Sequence, residues 1–244
     1  MAGLQKVTRI DRRDIPFDAC LLPTQEGFRV EVCKYHSPGR QTFSIAHEIG
    51  HTFLIELEPK LGGARREINI AAFSSANSGL VERLCDAAAA ELIWPTHVFQ
   101  RDAWSSGVSM EAVVNLANQY KASVTATARR FAEVGPWRCA FVFWERVVDT
   151  GRTVALRPKG VYRSSCAPLA GRDKLVAGEG PHIHRALECN HIVKGRQTLD
   201  GTGRQFYVET MKLGQGAMSM IIMEPHAEIL AAKRSRPAQA SLFR

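Results

Sequence analysis

Residues 42–57 read TFSIAHEIGHTFLIEL. From Gln41 to Leu57 the positions Phe43, Ile45, Ala46, Ile49, Gly50, Phe53, Leu54 and Leu57 recur at helical spacing, and Pro59 closes the segment, which reads as a mostly buried helix. His47 and His51 stand four positions apart on it, about 400° of rotation, so both rings leave one face one turn apart and can bind one ion. Glu48 sits one position round. It can reach a water on that ion without itself being a ligand. Burying two histidines and a glutamate in an apolar helix is costly unless they are paired or coordinated, and a metal supplies that compensation. Gly50 costs roughly 1 kcal/mol relative to alanine inside a helix. A close approach of another backbone, or of substrate, would explain it.

A catalytic zinc site takes three protein ligands and keeps one position open, so two histidines are not enough. The missing ligand is sought in VERLCDAAAAELIWP, residues 81–95. A second helix is expected from about Leu80 to Trp94, ending before Pro95, which disfavours helical geometry in the residue ahead of it. Glu82 and Asp86 are again four apart on one face. Glu82 can complete a His₂Glu set, and Asp86 can accept the second ring N–H of a ligand histidine, fixing its tautomer. Glu56, Glu58 and Glu67 are alternative third ligands, but they lie on the first helix or in the loop after it. A second helix holds the site from two sides.

Around this pair of helices, residues 18–35 alternate about a Gln-Glu-Gly turn and predict a hairpin. Its second strand, Phe28 to Lys34, is expected at a sheet edge, where it would bind an extended substrate by β-augmentation. Residues 58–79 lack a sustained period and read as a loop. Two short helices are predicted over 109–120 and 123–133, with Ser123 or its neighbour as N-cap and Gly135 past the end. Val113, Leu116, Tyr120, Val124, Ala128 and Phe131 are spaced there as a packed pair. Beyond residues 135–137 the texture becomes β-rich, in CAFVFWERVV, TVALRPKGVYRS, RQFYVET and MSMIIMEP. His182, His184, Cys189 and His191 cluster in GPHIHRALECNH, but their spacing matches no common zinc pattern, so they are read as surface or core residues.

The chain has 244 residues, 45% apolar and 23% charged, an ordinary globular composition. Its six cysteines form no C-x-x-C pair and are read as reduced thiols of a cytoplasmic protein. The first residues are charged where a signal peptide needs an apolar core. No run approaches the roughly 18 uncharged residues of a membrane span, so no membrane partner is expected. The net charge of +8 permits attraction to nucleic acid, but part of it lies in the tail 231–244, and a solvated basic surface is the simpler reading.

Three blocks, SPGRQTFSIAHEIGH (37–51), ERLCDAAAAELIWP (82–95) and LANQYKASVTATARRF (116–131), together resemble, in order and spacing, the ImmA/IrrE family of zinc-dependent metallo-endopeptidases. The resemblance covers about residues 28–133. It implies His47, His51 and Glu82 as zinc ligands, Glu48 as general base, and Asp86 at a position where the family has Asn or Asp. The run Ala87 to Ala90 and Trp94 depart from the family pattern and concern packing against the first helix. Manganese is the alternative metal, since selectivity depends partly on availability.

The fold so implied is α+β: a minimal zincin-like unit over 1–108, a helix-turn-helix-like segment over 109–136, and a β-rich C-terminal domain over 137–244 with the basic tail. That last domain would serve as sensor or substrate-recognition module, GAF-like in some relatives. The implied activity is site-specific cleavage of a helix-turn-helix transcriptional repressor, inducing genes of a stress response or a mobile element. For the developing oxyanion, Tyr120, Tyr162, His97 and His184 are the available side chains. The competing expectation is a non-proteolytic DNA-binding regulator on a zincin scaffold, with Arg129 and Arg130 meeting phosphates. Direct nucleic-acid binding is the less favoured of the two.

Overall fold

A computed structural model gives the chain an α+β fold. It describes residues 3–11, 17–55, 78–148, 154–167, 169, 175, 181–199 and 203–223. Glu56, Glu58 and Glu67, most of the expected 58–79 loop, and the basic tail lie outside the described residues. The chain divides into two compact units, residues 1–96 with 118–123, and 97–117 with 124–244. This division falls earlier than the change of texture near residue 137, because helical residues ahead of it pack on the C-terminal sheet.

In the first unit, β1 (Gly3–Ile10), β2 (Ala19–Thr24) and β3 (Gly27–Cys33) form a three-stranded sheet in the order β1-β3-β2. The expected hairpin is β2 and β3, paired antiparallel with Thr24 opposite Gly27. Alternation along the strands sends Ala19, Leu21, Phe28, Val30 and Val32 to one face, where they form a buried cluster that Ile45 of the first helix packs against. That helix, α1 (Pro38–Ile55), opens with proline at its first position, where no N–H is needed, and the Ser37 carbonyl accepts the Gln41 N–H at 3.0 Å. The second, α2 (Ser78–Ile93), stops as expected just ahead of Pro95.

The edge position expected of β3 is corrected. It is the central strand, because β1 adds to its other side in parallel. The edge strand beside α1 is β2. The Cys33 N–H donates to the Asp18 carbonyl at 3.0 Å, which sets the phase of the ladder: Cys20, Leu22 and Thr24 bond to β3, while the backbone groups of Ala19, Leu21 and Pro23 face outward. Proline at position 23 fits that phase, since its missing N–H falls on the unpaired side.

The second unit holds most of α3 (Thr96–Ser106) and of α4 (Met110–Gln119), with α5 (Val124–Val134), β4 (Cys139–Val148), β5 (Val154–Arg163), α6 (Pro181–Glu188), β6 (Val193–Thr198), β7 (Gln205–Leu213) and β8 (Gly216–Ile222). Its five-stranded antiparallel sheet runs β5-β4-β8-β7-β6, with the first and last strands side by side at the centre. One face carries Val142, Trp144, Phe206, Val208 and Ile221, packed with Ile183 and Leu187 of α6. The Trp144 indole N–H donates to Ser219 Oγ at 2.9 Å, and Thr210 Oγ1 lies 2.8 Å from the same oxygen, so this buried polar group is satisfied. The other face receives α5, whose Phe131 meets Phe141 edge to face at 6.1 Å.

Both predicted short helices are present as α4 and α5, and Val113, Leu116, Ala128 and Phe131 are fully buried. Arg130 is 6% exposed and lies 3.9 Å from Glu133, and Arg129 sits over the Tyr162 ring. The helix face that a phosphate contact by Arg130 would need is buried. His182 packs against Gly195, His184 and His191 are exposed, and Cys189 is half-buried.

Candidate metal centre

His47, Glu48 and His51 lie on α1, and Glu82 and Asp86 on α2, so the two helices bring together the site residues read from the sequence. His47 Nε2 is 3.0 Å from Glu82 Oε2, and His51 Nε2 is 3.8 Å from Glu82 Oε1. One ligand atom from each of these three residues lies within 4.8 Å of the other two. Among the described residues this is the one such group of histidine, cysteine or carboxylate donors. His47 Nδ1 is 2.9 Å from Asp86 Oδ1. If Asp86 accepts an N–H there, Nε2 is left with its lone pair directed to the Glu82 side, the tautomer a metal ligand needs.

The helices meet closely at Gly50. A Cβ there would lie 3.1 Å from both Cα and the carbonyl oxygen of Cys85, and 3.4 Å from Ala88 Cβ. The glycine is therefore explained by the approach of another backbone, and the alanine run on α2 supplies the small side chains that permit it. Cys85 and Ala89 are fully buried at this seam. The Cys85 thiol is pushed up to about 11, mainly by burial and further by the charge of Glu82, so it stays protonated and silent.

The electrostatics suit a cation. Burial, then the neighbouring His47, lowers the pKa of His51 below the usual imidazole range, which favours the neutral ring that binds metals. Burial raises Glu48 above the usual carboxylate range, opposed by His47 and by a hydrogen bond from the Leu21 backbone, while Glu82 adds to the rise. A base with a raised pKa is better matched to proton transfer near neutrality. Three nitrogen and oxygen donors, with a carboxylate behind one of the histidines, fit zinc in kind and number. A histidine pair with a shared carboxylate also serves manganese.

The contact of Leu21 with Glu48 was not legible in the sequence. It depends on which backbone groups of β2 face outward, and Pro23 is the only local hint. Of the side chains considered for the oxyanion, Tyr120 belongs to the same compact unit as the metal residues, while His97, Tyr162 and His184 belong to the other.

No curated protein sequence matches the chain. Among solved structures it is similar to a Mycobacterium tuberculosis transcriptional regulator, with a TM-score of 0.54 and 15% sequence identity, over 88% of this chain and 65% of that one. The chain thus spans less than two thirds of that regulator's length, and the likeness is one of fold. A family model described as the IrrE N-terminal-like domain, Peptidase_M78, matches residues 24–132, which contain the hairpin's second strand, both helices of the candidate site, α4 and all but the last two residues of α5. Residues 24–132 thus match the IrrE N-terminal-like domain of the Peptidase_M78 family.

Proposed function

We propose that the protein is a zinc metallo-endopeptidase that cuts a protein substrate at a defined site, with a helix-turn-helix transcriptional repressor as the substrate class implied by the family. The observation that carries this reading is the convergence of His47, His51 and Glu82 within 4.8 Å from two helices, with Asp86 behind His47. His47, His51 and Glu82 would hold the metal. Zinc in such a ligand set acts as a Lewis acid, bringing the pKa of a water to about 7 and polarising a carbonyl. Glu48 takes the proton of the attacking water and passes it to the leaving amine. Asp86 keeps the His47 ring oriented.

The substrate is held along the outer side of β2, where the Leu21 backbone bonds to Glu48 and the outward backbone groups of Ala19 offer an extended peptide a strand to pair with. Ala19→Pro removes one outward N–H without removing a bond to β3. The expected result is a KM raised about fivefold, kcat nearly unchanged and metal content unchanged, since one lost hydrogen bond is worth about 1 kcal/mol. The C-terminal sheet is proposed as the module that recognises substrate or a signal.

The test of the whole reading is zinc content and cleavage by the purified full chain. Wild type is expected to carry one zinc per chain and to yield one fragment pair from a repressor substrate, with chelator abolishing cleavage and zinc restoring it. Glu82→Ala is expected to lose at least about tenfold in zinc affinity. A wild-type chain that holds no metal under these conditions rejects the proposal.

The positive charge and the regulator-like fold keep the DNA-binding alternative in view. Burial of Arg130 speaks against α5 as its reading helix.

A further inference from the structure

Within the first unit, β2 and α1 run side by side in the same direction. The Leu21 backbone bonds to Glu48, while Asp18, just ahead of β2, holds Arg40 in the first turn of α1. Asp18 Oδ2 accepts the Arg40 Nε–H at 2.7 Å, and Oδ1 accepts from Nη2 at 2.8 Å. This two-pronged pair fixes the guanidinium plane at the Ala19 end of the strand. Asp18 Oδ1 also lies 3.5 Å from His36 Nδ1, so one carboxylate is shared between two nitrogen groups. Arg40 Nη1 has no acceptor among the described residues, and the side chain is 58% exposed.

Arg40 and His47 are seven positions apart, about 700° of rotation, so they leave nearly the same face of α1, about 10.5 Å apart along its axis. The strand keeps pace, since Leu21 back to Asp18 spans about 10 Å. The helix face that presents the histidines therefore carries a cation two turns toward its start. Phe43 and Ser44, which lie between on that face, are uncharged. A peptide paired antiparallel with the edge of β2, the more stable of the two ladder types, runs from Thr24 toward Ala19. Its residues beyond the cut lead toward Arg40. If the carbonyl cut is that of the residue opposite Leu21, beside Glu48, the residue opposite Ala19 is the second after the cut. Alternation puts its side chain on the sheet face that Ala19 shares with Ile45 of α1. An aspartate or glutamate at that position can accept from Nη1 of Arg40.

We propose, on the peptidase reading of this site, that Arg40 is a specificity-determining residue that selects substrates with an acidic side chain at the second position after the cleaved bond. Asp18 is both its positioning partner and its competitor, because the one negative charge of Asp18 offsets that of Arg40. Removing the charge of Asp18 strengthens the selection, and removing that of Arg40 abolishes it. A pair that only stapled β2 to α1 would shift neither preference.

The test is the cleavage profile of the zinc-loaded full chain on a peptide library made by tryptic digestion of a bacterial lysate, read by mass spectrometry. Wild type is expected to show aspartate and glutamate enriched about fivefold at the second position after the cut, the factor that one exposed, charge-assisted hydrogen bond supplies. Arg40→Gln can keep one hydrogen bond to Asp18 and is expected to lose the enrichment with zinc content unchanged. Asp18→Asn is expected to raise it about twofold or more, and this opposite response decides the matter if Arg40→Gln does not fold. Fluorescein-labelled peptides that match the best-cut sequence, with Glu or Gln at that position, are expected to differ about fivefold in Kd for the metal-free chain. Cuts without an acidic preference there, or a preference that Arg40→Gln keeps, overturn the proposal. A chain that holds no zinc and cuts no peptide rejects the peptidase reading, and the role of Arg40 falls with it.

Discussion

Glu48→Gln is expected to lower peptide hydrolysis about a thousandfold while zinc stays bound, since a positioned general base contributes roughly 10² to 10⁴ in rate. The exchange is nearly isosteric and removes only the ability to take a proton. His47, His51 and Glu82 are untouched, so the proposed ligand set is complete in the variant. The amide oxygen can still accept the hydrogen bond from the Leu21 backbone. Burial disfavours the charged form of Glu48, so the neutral amide is expected to leave Tm equal or slightly raised. Cleavage rate, zinc content and Tm measured on one preparation separate the possibilities. Activity above about a tenth of wild type removes Glu48 from the base role. Loss of zinc with loss of activity would mean that Glu48 acts on the metal and not on the proton.

The candidate site was legible because its residues are spaced on helices. Four-residue spacing on α1 and again on α2 is a local property, and proline bounds both segments, so the face carrying His47 and His51 and the face carrying Glu82 and Asp86 could be read without tertiary information. Gly50 was legible for a related reason, since a glycine inside an apolar helix asks for a close neighbour, and Cys85 is that neighbour. Spacing of apolar residues likewise placed Val113, Leu116, Ala128 and Phe131 in a core.

Sheet order was not legible. GFRVEVC alternates in the same way whether it lies at an edge or in the centre, and only pairing with β1, some twenty residues earlier, decides the matter. The strand LQKVTRI carries Lys6 and Arg9 and leaves Leu4 and Val7 exposed, so it gave no strong signal of its own. In the C-terminal part, α6 is only eight residues long and β6, VKGRQT, is largely polar, so neither stood out. Arg130 shows the same limit in a helix. Its type suggests solvent or phosphate, and only packing of α5 on the sheet shows it to be buried.

Gly50→Leu is expected to reduce zinc affinity at least about tenfold, comparable to disturbing the groups that orient metal ligands, and to destabilise the fold by about 1–3 kcal/mol through overpacking. The alanine variant is the control. Its Cβ would stand 3.1 Å from Cys85 Cα and O, so α2 need yield only a few tenths of an ångström, and the better helix propensity of alanine offsets that by roughly 1 kcal/mol. A leucine cannot be fitted in this way, because the atoms it meets include the Cys85 backbone and not a flexible side-chain end. The helices must separate at this point. His47 lies three residues before Gly50 and Glu82 three before Cys85, less than one turn from the seam on each helix, so the separation falls on the 3.0 Å and 3.8 Å approaches of Glu82 to the two histidines. Zinc competition titration and thermal melts of wild type, Gly50→Ala and Gly50→Leu give the ordering directly. If Gly50→Leu binds zinc as tightly as wild type, the α1–α2 seam does not set the spacing of the metal ligands.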